Sequence, residues 1–215
     1  MYLSRMQKQR SDRGSQTATL TQHIIEQLAH SEELKLEGKH EEALDIAERI
    51  LVQDPECVEA GEEIADNLLS LDRLTDAKKA AKFVLSLDPE SYIGNFVIGF
   101  AASNDEHWEK AIKYFRISNA NQPNNPEILR CLGWSLFHND QEAEGIATLR
   151  RALFLRENDS SILCDLAACL LQQNEFTEAV ALIKKAITID PEEQRVQELY
   201  DVANRLQIAF SEDIT

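Results

Sequence analysis

The side chains best able to bind a metal or attack a carbonyl are five histidines and four cysteines, and neither set is spaced for it. His23, His30, His40, His107 and His138 are scattered, with no partner at triad or ligand spacing. Cys164 and Cys169 are five residues apart, a poor helical spacing for shared ligation, and no CxxC pair occurs. Cys57, Cys131, Cys164 and Cys169 are therefore expected to be free thiols buried in a reducing cytoplasm; the alternative is redox sensing by whichever thiol is exposed, Cys57 foremost. No glycine-rich loop could cradle a phosphate. Carboxylates are abundant, but solvated helix faces account for them better than an acid/base pair does. The sequence indicates no enzyme, no cofactor and no metal. What remains is recognition chemistry: Phe96 and Phe100 four apart on one helix face, and an acidic run at Glu59, Glu62, Glu63 and Asp66.

The elements that must position these groups follow from a repeat. Pro55, Pro89, Pro123 and Pro191 lie on one 34-residue grid, with Glu157 at the tick that lacks proline. If proline is position 32, repeats begin at Ile24, Val58, Tyr92, Pro126 and Ser160. Position 8 is always small (Ser31, Ala65, Gly99, Gly133, Ala167), and so is position 20 (Ala43, Ala77, Ala111, Gly145, Ala179). Position 11 reads Leu34, Leu68, Ala102, Leu136 and Leu170. Small residues at 8 and 20 let two antiparallel helices approach closely while the aliphatics fill the space around that contact. A period of about 34 residues is the signature of stacked helical hairpins.

The pattern resembles the tetratricopeptide repeat family. Repeat 3 carries it through Ile98-Gly99, Ala111, Phe115 and Pro123, and repeat 5 through Leu166, Ala167, Phe176, Ala179, Ala186 and Pro191. The family's tryptophan at position 4 is replaced by Gln27, Gly61, Asn95, Leu129 and Leu163, and Gly145 stands for alanine in repeat 4. The resemblance implies an all-α, right-handed superhelical solenoid of about five hairpins. The expected boundaries are a basic flexible tail over 1–16, the repeats over 17–193, a capping helix over 194–210 and a frayed end over 211–215. Val196, Leu199, Tyr200, Ala203, Leu206 and Phe210 would form the buried face of the cap. Trp108, Phe115 and Phe176 are assigned to hairpin cores.

Charge narrows the partners. The formal net charge is −16, and the tail carries Arg5, Lys8, Arg10 and Arg13 against Asp12, which leaves −19 on the rest. Such a surface repels nucleic acid and anionic lipid and favours basic or neutral partners. No apolar run is long enough to span a membrane, and the expected location is cytoplasmic.

In the family's architecture, positions 2, 5, 9 and 12 of each first helix line a concave groove. The resemblance thus places Glu59, Glu62 and Asp66 there from repeat 2, and Ile93, Phe96 and Phe100 from repeat 3. Repeat 4 supplies Glu127, Arg130, Trp134 and Phe137. Two readings of the aromatic patch stay open: packing between neighbouring first helices, or an anchor for an apolar, partly basic peptide or helix. The chaperone-tail clamp of some family members is excluded, because Leu28/Glu32, Glu62/Asp66, Phe96/Phe100, Arg130/Trp134 and Cys164/Ala168 stand at its Lys/Asn positions. The expected function is a non-catalytic scaffold or adaptor for another protein. The alternatives are a chaperone like those of type III secretion, which mask hydrophobic secreted proteins, and a self-associating assembly scaffold.

Overall fold

A small residue at every eighth and twentieth position demands helix pairs in close contact, and the chain consists of such pairs. The structure is a computed structural model that describes residues 22–212, with side chains through Arg205. Helix α1 spans 22–36, α2 His40–Gln53, α3 Val58–Ser70, α4 Leu74–Leu87 and α5 Tyr92–Asn104. Then come α6 Trp108–Asn121, α7 Pro126–His138, α8 Glu142–Leu155, α9 Ser160–Gln172, α10 Phe176–Ile189 and α11 Gln194–Glu212. No strand occurs among the described residues, and consecutive helices pack on one another as in an α-solenoid within each part of the chain: α2 on α3 and α3 on α4, then α6 through α11 in succession. Helices α3, α5, α7 and α9 begin at the residues that open repeats 2 to 5. The described residues divide into two compact units, the first ending at Val97 and the second beginning at Ile98, with the division inside α5.

Every hairpin turns its corner the same way. Gly38, Asp72, Glu106, Asp140 and Asn174, all at position 15, have φ between 56° and 76°. The amide of the following residue then reaches back to the position-11 carbonyl: Lys39 to Leu34 (2.9 Å), Arg73 to Leu68 (2.8 Å), His107 to Ala102 (2.8 Å), Gln141 to Leu136 (3.0 Å) and Glu175 to Leu170 (2.9 Å). A left-handed residue followed by this six-to-one bond is the Schellman closure, and it satisfies carbonyls that the helix end leaves open. At the other end of the hairpin, where a proline follows, the residue before it has an extended φ. Asp54, Asp88 and Asp190 have φ of −133°, −131° and −135°, as steric pressure from a following proline requires. Three first helices carry a side-chain cap: Ser91 Oγ accepts from the Gly94 amide (2.9 Å), Asn125 from that of Glu127 (2.9 Å) and Asp159 from that of Ile162 (3.0 Å).

In the first unit, Ile24, Leu34, Ala43, Ile46, Ile50, Cys57 and Ala60 form one apolar cluster. Ser31 at position 8 also sends its hydroxyl to the Ala43 carbonyl (3.1 Å), so the small-residue contact carries a hydrogen bond. In the second unit the core runs from Phe137 and Leu149 through Leu166, Leu170, Ala179 and Ile183 to Ala203. Gly133 and Gly145 face each other there: a methyl on Gly145 would lie 2.7 Å from the Gly133 carbonyl oxygen. Helix α11 packs on α9 and α10, with Val196 and Ala203 buried and Leu199 and Tyr200 half-buried. It continues to Glu212, past the expected end at 210, and the side chains of Leu206 and Phe210 lie outside the described residues. The basic tail over 1–16 is outside them too. Among the described residues, no helix is long and apolar enough to cross a membrane.

Candidate functional site

The acidic run of the first unit lies on α3. Glu59 is exposed, while Glu62, Glu63 and Asp66 are half-buried. Lys35 of α1 reaches across to Glu63 (2.9 Å) and Asp66 (3.0 Å), so two of these carboxylates already hold a cation from their own chain. Burial works against the Lys35 charge, but Asp66 and Glu63 outweigh it and its pKa is raised. Asn67 donates to the Glu63 carbonyl (2.8 Å) and pairs through Oδ1 with His40 Nδ1 (3.0 Å). Glu62 accepts a hydrogen bond from Ser91 Oγ at 2.5 Å. Burial raises its pKa above 4.5; the Ser91 bond opposes this, and Glu59, Asp88 and Glu63 add to it. Asp66 is therefore committed internally, and Glu59 and Glu62 remain the acidic groups without a cation among these contacts.

The second unit holds a more developed arrangement. A cleft of about 440 Å³ is lined by Phe100, Ser103 and Asn104 of α5, Arg130, Cys131 and Trp134 of α7, Asp165 of α9 and Arg195 of α11. At its base sits Asp165, only 2% exposed, which takes Arg130 Nη1 on one oxygen (2.8 Å) and Arg195 Nη2 on the other (2.5 Å). Arg130 also grips Glu127, through Nε (3.1 Å) and Nη2 (2.6 Å). Two guanidinium and two carboxylate groups thus form a neutral, mutually satisfied floor, the condition under which burying charge is tolerable. The Arg195 guanidinium lies 5.3 Å from the Trp134 ring centre, within cation–π range. The other neighbour of Trp134 is His138, at 4.3 Å between ring centres, and His138 also stacks on Trp108 at 5.1 Å. Burial lowers the His138 pKa, with Asp165 and Glu106 opposing.

Two expected groove residues serve the core instead. Phe137 is 5% exposed and packs with Leu149, Leu166 and Leu170, because position 12 of α7 faces the hairpin interior. Ile93 is 9% exposed. Phe96, Phe100, Arg130 and Trp134 are half-buried, with Trp134 wedged between Arg195 and His138 rather than left bare. Trp108 and Phe176 are also half-buried, whereas Phe115 is fully enclosed. Cys57 is buried with the other three free cysteines, which removes it as an exposed redox thiol. Burial pushes the thiols of Cys164 and Cys169 up to about 11 and about 12.

Sequence reasoning missed Asp165 and Arg195. The signal was present for the first: in the thirteen residues of α9, SSILCDLAACLLQ, Asp165 is the single charge in an apolar stretch. A lone carboxylate in such a helix must find a cation or take up a proton. Arg195 lies beyond the last repeat, where the register makes no statement.

Comparison with known proteins bears on the repeats directly. A family profile described as "Tetratricopeptide repeat" matches residues 143–193. No curated protein matches the chain by sequence. Among solved structures, a thermophilic tetratricopeptide-repeat protein, TTC0263 of Thermus thermophilus, is 21% identical, with a TM-score of 0.65 over 84% of this chain and 98% of that one. Pseudomonas aeruginosa pilF is 16% identical, with a TM-score of 0.67 over 89% of each chain. YrrB, described as a tetratricopeptide-repeat protein with an unusual peptide-binding site, is 16% identical with a TM-score of 0.57, covering 83% and 96%. At these identities the likeness is one of fold.

Proposed function

Because the chain is a tetratricopeptide-repeat protein, we propose that it is a non-catalytic scaffold or adaptor that holds a peptide or helix of another protein on its first-helix surfaces. The observation that carries this is the cleft of the second unit. Phe100 and Trp134 wall a space of about 440 Å³ above an ion cluster that is already satisfied, so the cleft offers apolar surface without an unpaired buried charge. On the first unit, Glu59 and Glu62 supply an acidic surface suited to a basic stretch of partner. The fit of the YrrB structure is consistent with peptide binding on this kind of fold. Four buried, free cysteines suit the reducing cytoplasm, where we place the protein.

The test is capture from native lysate by wild type and by a Phe96→Ala/Phe100→Ala/Trp134→Ala variant, the helicity of both checked first. A partner held by wild type and lost by the folded variant supports the reading. Equal capture by both refutes it and moves the interface off these helices. Trp134→Ala alone should cost about 2 kcal/mol in binding, roughly 30-fold, if it is a hot spot.

A further inference from the structure

The lining of the cleft has a one-sided inventory of hydrogen-bonding groups. Both Asp165 oxygens are taken, and all three Arg130 nitrogens are engaged. Ser103 Oγ is met by Ser135 Oγ at 3.4 Å, and Cys131 Sγ lies 3.7 Å from both Arg130 and Glu127. What is left uncommitted in the lining is the rest of the Arg195 guanidinium, on a side chain 39% exposed, and the exposed Asn104 carboxamide. A guanidinium edge with free N–H donors is shaped to receive a carboxylate in two parallel bonds. Phe100 and Trp134 beside it are shaped to receive an apolar side chain.

We propose that this cleft reads an acidic side chain next to an aromatic or aliphatic residue in the partner segment, with Arg195 as the carboxylate receptor. This rests on the reading that the first-helix surface of the second unit binds a partner. The occupant is a side-chain carboxylate rather than a chain terminus. A terminal carboxylate is received in a nest of successive free backbone amides, and the lining offers no such run: apart from Arg195 in the first turn of α11, its residues lie far enough into their helices for their amides to bond along them. Arg195 comes from α11, so the specificity-determining group belongs to the capping helix and lies outside the 34-residue register. The long-range field of a chain carrying −16 opposes an acidic segment, and so recognition comes from the short-range pair and not from steering.

The experiment titrates the full chain with blocked peptides, Ac-Gly-Phe-Glu-Gly-NH2 and its Gln counterpart, following the Trp134 indole and Arg195 Nε–H signals by NMR up to millimolar concentration. A third peptide places Gln beside the apolar residue and leaves the chain end as a free carboxylate. The Glu peptide should bind about tenfold tighter than the Gln peptide. Arg195→Gln should erase that preference, while Arg195→Lys keeps part of it, and unchanged Phe115 signals certify the fold of both. Equal binding of the Glu and Gln peptides overturns the proposal, as does a preference that survives Arg195→Gln. Tightest binding by the free-carboxylate peptide, or no shift of either reporter signal, overturns it as well. A lysate partner lost by the aromatic triple variant but kept by Arg195→Gln would sink this inference while leaving the broader function standing.

Discussion

Replacing Gly145 by alanine restores the residue found at position 20 of every other repeat, and helix propensity alone makes that change worth about 1 kcal/mol of stabilisation. The structure assigns it the opposite sign. A Cβ at Gly145 would sit 2.7 Å from the Gly133 carbonyl oxygen, 2.7 Å from the Phe137 amide nitrogen and 2.9 Å from the Phe137 Cβ. Two of these three atoms are backbone, which cannot swing aside as a side-chain tip can, so α7 and α8 must separate. Overpacking costs about 1–3 kcal/mol, and contacts against backbone belong at the upper end. After the propensity gain, the net should be about 2 kcal/mol of destabilisation. The assay is urea unfolding followed by far-ultraviolet circular dichroism. With a slope of about 2–3 kcal/mol/M, the midpoint should fall by about 0.7–1 M at unchanged slope. A midpoint that rises refutes the reasoning and means that the two helices carry slack at their crossing.

Glu62→Gln should stabilise the protein near neutral pH. The folded-state pKa of Glu62 is raised, so its favourable contribution exists only where it is protonated and is lost as pH climbs from the ordinary 4.5 through the raised value; the gap between variant and wild type in thermal midpoint should therefore close below about pH 4. Glu157→Pro should add about 0.4–1 kcal/mol by chain stiffening. Arg156 before it has φ −142° and ψ 80°, close to the −129° and 74° of Gln122 ahead of Pro123, and the Glu157 carbonyl that accepts from Lys185 (2.8 Å) survives the change. A drop in the thermal midpoint would show that this turn differs from its four counterparts.

The fold was legible because the close approach of two helices can be read in single residues. Ser31/Ala43, Ala65/Ala77 and Gly99/Ala111 announce a short interhelix distance whatever surrounds them. The corners were harder, since position 15 reads Gly38, Asp72, Glu106, Asp140 and Asn174, and only glycine declares a left-handed backbone outright. Asp and Asn adopt it through their short polar side chains, and Glu106 is carried there by the closure around it. The candidate site was legible in part. Register put Phe100, Arg130 and Trp134 on the right helices, yet it could not tell that Phe137 turns inward or that Lys35 answers Asp66 from 31 residues away. Pairings across repeats depend on side-chain reach, which a register does not record. Arg195 was out of sight for a different reason: a repeat pattern is silent about the element that ends it.

Repeat proteins are usually pictured as strings of interchangeable modules that can be lengthened, shortened or reshuffled. The Asp165 cluster restricts that freedom. One carboxylate on α9 is neutralised from α7 on one side and from α11 on the other, so three elements share a single charge balance. Inserting a hairpin after the fourth repeat would strand Asp165 without Arg130, and exchanging the terminal helix would strand it without Arg195. The last two repeats and their cap therefore behave as one heritable block, and recombination that respects the chain's 34-residue period must still cut on the N-terminal side of α7.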